Sequence, residues 1–339
     1  MALTAKERLL AILAGKAVDR PAVICPGGMM SAATTEVLGK KPMNFHTDPV
    51  LMAETAEEIQ RSSGFENLGV PFCMTVEAEA LGSQVDLGDA AVEPRVAVYG
   101  AREIEEMIMA CEEPTAVNRL DVVFKSIEIL SQNNHDLPVI GNLTGPLSLA
   151  TSVLDPMKFF RLMRKEPSKV HICLEHITKF LLGFARRQLA AGADVISIED
   201  PTATGEIIGN ANFREFVTPR LARLVREIRA VGAGVIVHIC GDAGLLLEEL
   251  RQLEGAGLSF DSMVDMRDAK AKLAEMPLMG NISTQVLHQG HPERITRAVE
   301  RNLNLGIDII SPACGISLQT PLPNLQALTS RVKAYALRR

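Results

Sequence analysis

In LAAGADVISIEDP, residues 189–201, a helical run stops at Gly192 and a β-branched apolar run begins at Val195. Helices commonly end on glycine, which enters the left-handed region without penalty, while Val and Ile favour extended backbone. The phrase has a double in NLNLGIDIIS, residues 302–311. A helix, a glycine stop and then a strand is the junction of a βα repeat. Working outward, apolar strand-type runs recur at 21–26, 65–72, 138–145, 194–201, 234–241, 259–265, 277–283 and 308–315. The intervals between them, such as PVLMAETAEEIQRSSG and RITRAVERNLNLG, carry helical apolar spacing and end at Gly. Eight βα units predict an α/β fold, a single (βα)8 barrel; pattern alone leaves a doubly wound sheet open.

One interval breaks the rhythm. Between the second and third strands, residues 77–137 read as an insertion at the C-terminal rim. In it VDLGDAAVEPRVAVYG (85–100) alternates like a hairpin, and helices are expected near 101–110 and 117–134. Without a low-complexity tract or linker, the 339 residues read as one domain, 1–339.

Composition narrows the function. The chain is 47% hydrophobic and 22% charged, with a formal charge of −6, and it lacks the concentrated basic face that nucleic acid requires. No run approaches the roughly 18 to 20 apolar residues that cross a bilayer. The N-terminal stretch reads as an amphipathic helix ended by Gly15 rather than a signal peptide, so a cytoplasmic protein is expected. Six cysteines in such a compartment suggest metal binding or catalysis before disulfides.

The chemistry gathers at the strand ends. In VIVHICGDAG, His238 and Cys240 are two residues apart and so share a strand face, just before Gly241 breaks the run. Cys314 closes the last strand in SPACG. If barrel closure brings the fifth and eighth strands together, His-x-Cys and the distant Cys make three N/S ligands with one open position, as in catalytic zinc sites. A packed core imidazole and thiol is the competing reading. Asp200 in SIEDPTA either orients a ligand or substrate or caps the following turn. Glu77 follows the second strand and either offers an oxygen at the mouth or is a solvated loop carboxylate. Asn142, Asn281 and Ser283 sit at strand ends, where neutral donors could contact a substrate or cofactor edge. Cys25, Cys73, Cys111 and Cys173 read as packing residues.

The stretches KERLLAILAGKAVDRPAV, HTDPVLMAETA, GFENLGVPFCMTVEAEALG, GADVISIEDPTA, VHICGD, LMGNIS and GIDIISPACGISLQTPLPNLQAL span nearly the whole chain. In them the chain resembles the uroporphyrinogen decarboxylase superfamily, and within it the methylcobamide:coenzyme M methyltransferases. The resemblance implies a (βα)8 barrel and a zinc motif falling on His238, Cys240 and Cys314. It also implies transfer of methyl from a methylated corrinoid protein to a thiol such as coenzyme M. Two alternatives stay open: transfer from a methoxylated or other donor to a Co(I) corrinoid protein, and transfer to tetrahydrofolate. No Asp-x-His-x-x-Gly corrinoid motif occurs, so the cobamide is expected on a separate corrinoid protein, docking through residues 77–137, 26–35 or 202–212. The superfamily's decarboxylases hold porphyrin carboxylates with arginines in an N-terminal motif. Here DRPAVICPGGMMSAA has no Arg after Arg20, which disfavours decarboxylation.

Overall fold

Local signals place the element boundaries. The helix Pro49–Ser63 opens on Asp48, whose carboxylate accepts from the Val50 and Leu51 amides at 2.9 and 3.0 Å, and it ends on left-handed Gly64. At the GADVIS junction the helix Pro167–Ala190 stops and Gly192 turns the chain at φ 109° before a strand starts at Val195. The computed structural model describes residues 3–26, 42–89, 92–115 and 118–335.

The strands in chain order are β1 (Ala22–Val23), β2 (Leu68–Val70), β3 (Gln84–Asp86), β4 (Arg95–Val98), β5 (Val139–Thr144), β6 (Val195–Glu199), β7 (Gly234–Ile239), β8 (Gly257–Phe260), β9 (Leu278–Ile282) and β10 (Ile309–Pro312). Eight form one parallel sheet in the order β1-β10-β9-β8-β7-β6-β5-β2. From β2 to β10 the order follows the sequence without the reversal that defines a doubly wound sheet, so the fold is of the (βα)8 barrel type. β3 and β4 pair as the expected antiparallel hairpin, followed by helices Ile104–Glu112 and Asn118–Asn133. The sixth barrel strand lies earlier than expected, at 257–260 rather than 259–265. Asp261 ends it, because its carboxylate accepts from the amides of Gly241 and Met263 and draws the chain into a turn.

β1 and β2 flank the seam of the barrel, and side chains bridge it. The Glu66 amide donates to the Val23 carbonyl at 2.8 Å. The Asn67 side chain accepts from the Cys25 amide at 3.0 Å and donates to its carbonyl at 3.3 Å, standing in for a ladder pair. Behind it, the buried Glu66 carboxylate holds Arg20 through both oxygens and Arg8 at 3.5 Å, while Arg8 grips Asp19 at 2.7 and 2.8 Å.

Inside the barrel the layers change character from bottom to top. The lower layer is apolar: Ala22, Ile140, Val195, Ile236, Met279 and Ile309 pack against Leu9, Ile12 and Leu13 of the helix Ala5–Leu13. That helix closes the N-terminal end. Leu13 fits because β7 and β8 begin with glycines; a Cβ at Gly234 or Gly257 would lie 2.7 or 2.8 Å from its methyl groups. Two residues further along, the inward positions of β5, β6, β8 and β10 turn polar, with Asn142, Ser197, Ser259 and Ser311. The inside of the barrel is therefore hydrophobic at its closed end and chemically equipped at the other. No described helix is long and apolar enough to cross a membrane.

Candidate metal centre

β7 alternates as a strand must. Ile236 faces the apolar layer, and His238 and then Cys240 follow on the same face, toward the C-terminal end. The parallel register sets His238 beside Glu199 of β6 and Ser259 of β8. Cys314 arrives from the exit of β10, two residues past the last ladder residue. The His238 Nε2 lies 3.2 Å from the Cys240 Sγ, and the two sulfurs are 3.6 Å apart. That sulfur separation is well beyond the bonded distance of a disulfide, which is about 2 Å.

The three ligand atoms lie within 4.8 Å of one another, the group of this kind found among the described residues. Their chemistry suits a soft divalent metal: two thiols and one imidazole, arranged as the three-ligand set of a catalytic zinc. The imidazole is also oriented for it. The Ser259 Oγ sits 3.0 Å from Nδ1, which leaves Nε2 facing the sulfurs. Losing such an orienting partner typically lowers metal affinity by about 10- to 100-fold. Ser259→Ala should therefore weaken zinc binding by that factor in a chelator-competition titration, with the ligand set itself intact.

The electrostatics favour a shared negative charge. The hydrogen bond from Cys240, together with His238, holds Cys314 well below the ordinary thiol range, down to about 4. Cys240 is shifted upward, first by that same hydrogen bond and then by burial. The pair thus gives up one proton easily and resists losing the second until a cation arrives. His238 is drawn down by burial, but the Cys314 sulfur and nearby acids raise it more, so its net shift is upward.

The trio opens on a cavity of about 390 Å³, whose lining includes Asn142, Ser197, Glu199, Phe72, Met74 and Pro312. Asn142 lines it. Its Nδ2 donates to the Pro71 carbonyl at 3.1 Å, while its buried Oδ1 has no partner. Cys25 and Cys73 line the cavity besides packing against the core.

The two expected mouth carboxylates do not line this cavity. Asp200 is fully buried and clamps the start of the helix Pro146–Val153, accepting from the Leu147 and Ser148 amides at 3.2 and 2.7 Å and from the Ser148 hydroxyl at 2.6 Å. Burial pushes it up to about 6 against those three bonds. Gly145 lets the helix approach so closely; a Cβ there would stand 2.3 Å from that of Asp200. Glu77, on the short helix Val76–Ala80, accepts from the Thr144 amide at 2.7 Å and its hydroxyl at 3.1 Å, and burial lifts it to about 7. Asn281 and Ser283 turn elsewhere. Asn281 donates to the Asp261 and Val264 carbonyls and Ser283 caps the helix Thr284–Gln289; both border a separate cavity with Arg267, Arg294, Arg297 and Arg301.

Glu199 is the strand-end carboxylate that sequence reasoning missed. Strand alternation from Val195 through Ser197 sets it on the inner face, whereas Asp200 has the opposite parity. Burial raises it to about 7, against the Ser197 hydroxyl that donates to it at 2.6 Å. Of the expected docking segments, residues 27–35 lie outside the described residues. The hairpin brings Glu93 and Pro94 to the cavity, and Pro201 borders it just before the 202–212 segment.

With this geometry in view, comparison with known proteins is informative. Residues 4–335 match the family described as uroporphyrinogen decarboxylase (URO-D). The chain is 31% identical over 334 residues to the methylcobamide:CoM methyltransferase MtbA of Methanosarcina acetivorans, covering 98% of each protein. It is 28% identical to the methylated-thiol–coenzyme M methyltransferase of Methanosarcina mazei, over 98% of this chain and 89% of that one. A solved methyltransferase structure from Methanosarcina mazei superposes with a TM-score of 0.90 at 28% identity, covering 98% of both chains.

Proposed function

The chain belongs to the uroporphyrinogen decarboxylase family, and from that premise we propose that it is a zinc-dependent methyltransferase, moving methyl from a methylated corrinoid protein to a thiol acceptor. The observation that carries this reading is the trio His238, Cys240 and Cys314 gathered beside a small cavity. Its relatives named as methyl transferases to coenzyme M, matched end to end, support the same reaction class. Decarboxylation of a porphyrin is not supported. Arg20 is committed to Glu66, and no Arg or Lys lines the cavity among the described residues.

His238, Cys240 and Cys314 would hold the zinc. Zinc, when bound, keeps an acceptor thiol deprotonated and nucleophilic at neutral pH. The protein's own groups do the rest. Ser259 fixes the imidazole, and the apolar walls Phe72 and Met74 keep water from the acceptor's sulfur. Methyl passes to that sulfur as the carbon–cobalt bond breaks with its electron pair staying on cobalt; the thiol proton leaves to solvent on binding. The corrinoid arrives on a separate protein, which we dock on the cavity rim beside Glu93 and Pro94 of the hairpin. We read residues 1–339 as one domain working in the cytoplasm.

The test is thiol binding to the zinc-loaded protein. About one proton per site should be released near neutral pH, since the metal takes the thiolate. X-ray absorption should show one more sulfur around zinc. If saturating thiols leave the zinc shell unchanged and a methoxylated compound perturbs it, methyl flows in the other direction, from that donor to a Co(I) corrinoid protein.

A further inference from the structure

Among the described residues, the cavity has the wrong charge for the acceptor its relatives are named for. Coenzyme M pairs a thiol with a sulfonate, and a sulfonate leaving water needs a cationic or strongly donating partner. Among the described residues, the lining carries no Lys or Arg. Beyond the metal-ligating trio, its ionisable groups are two carboxylates, Glu93 and Glu199, and two thiols. Glu93 is solvent-exposed where it enters from the hairpin, and Glu199 stands beside His238 in register.

Among the described residues, a buried cation next to the cavity is already committed. Arg119 lies behind Cys73, its guanidinium donating to the Glu79 carboxylate at 3.0 Å, the Thr75 hydroxyl at 3.2 Å and the Cys73 sulfur at 2.9 Å. Its side chain is 6% exposed. Redirecting it to a ligand would break the partly buried Glu79–Arg119 pair and leave the Arg119 guanidinium's other donors unsatisfied.

Resting on the methyl-transfer reading above, we infer that the acceptor is a small thiol bearing a neutral or cationic end, not a sulfonate or carboxylate. Cys240 and Cys314 would anchor its sulfur through the metal they hold, Asn142 Oδ1 offers an unused acceptor to a donor group on the ligand, and the carboxyl groups of Glu93 and Glu199 face a positive charge. Away from the metal, Asn142 Oδ1 accepts hydrogen bonds and the two carboxyl groups attract cations, so the ligand's far end meets nothing that suits an anion among the described residues.

The experiment uses the zinc-loaded full chain with methylcobalamin as donor and three thiols: cysteamine, 2-mercaptoethanol and 2-mercaptoethanesulfonate. Binding of each is also measured by calorimetry with no donor present, so that affinity is read apart from turnover. The kcat/KM and the affinity for cysteamine should exceed those for the sulfonate by about tenfold or more, the scale of one close charge contact in a partly solvated site. In Glu93→Lys the cysteamine-to-sulfonate ratio should fall several-fold. A sulfonate used or bound as well as the amine overturns the inference while leaving thiol methylation standing. A preference for cysteamine that Glu93→Lys does not change removes Glu93 from it. If no thiol binds or is methylated, the methyl-transfer reading fails, and the inference with it.

Discussion

Cys240→Ala or Cys314→Ala should empty the zinc site and lower methyl transfer by more than about 100-fold, beyond what losing an outer-sphere partner does. The protein should stay folded. Both sulfurs sit at the C-terminal end of the barrel, beside the cavity, and both are only partly buried. The apolar layer that builds the barrel lies below them and contains neither. Each thiol also loses its partner when the other goes, so either variant leaves a His and a single sulfur, too few for tight zinc binding. Metal content by elemental analysis and the urea midpoint, measured on the same preparation, check both halves. Loss of zinc together with collapse of the unfolding transition would make the metal structural, as in proteins that fold only around their ion.

Glu66→Ala should destabilise the protein by about 3 to 5 kcal/mol, the usual penalty for stranding buried charges that have lost their counter-ion. Glu66 is 7% exposed and serves three partners at once: Arg20 through both oxygens, Arg8, and the Val23 amide. Arg8 would keep Asp19, but Arg20 would keep only the Pro21 carbonyl. Among the described residues, no ladder joins β1 to β2 across the seam to absorb the change. The urea midpoint should fall with little change in slope. A loss below about 1 kcal/mol would mean that the cluster behaves as an ordinary surface pair.

Much of this architecture is legible in the residues. Glycine stops at 192 and 306 mark the repeat, and the two-residue spacing of His238 and Cys240 by itself puts them on one strand face. The meeting with Cys314 needs the barrel to close, which spacing cannot show. Asp200 stands out as the polar residue that ends the strand, yet counting alternation from Val195 already favours Glu199. Asn281 is harder. Counting from Met279 places it inside, but Gly280, at φ 139°, turns the backbone there, and the amide goes to the Asp261 and Val264 carbonyls instead. The seam was equally hidden, because Asn67 imitates a backbone pair with its side chain. A pattern of apolar residues carries no trace of that substitution.

The plugged lower end of the barrel has a kinetic meaning. Leu9, Ile12 and Leu13 stop the bore, and Leu13 packs close against Gly234 and Gly257. The cavity beside the His238–Cys240–Cys314 trio is then a blind well, open only at the C-terminal end of the barrel. For the methyl transfer proposed above, a small acceptor must already be seated when a protein-borne donor settles over the rim, and the methylated product must wait for that donor to depart. Sequence of arrival, and a traffic limit set by how long the larger partner lingers, follow from a helix at the opposite end of the barrel from the chemistry.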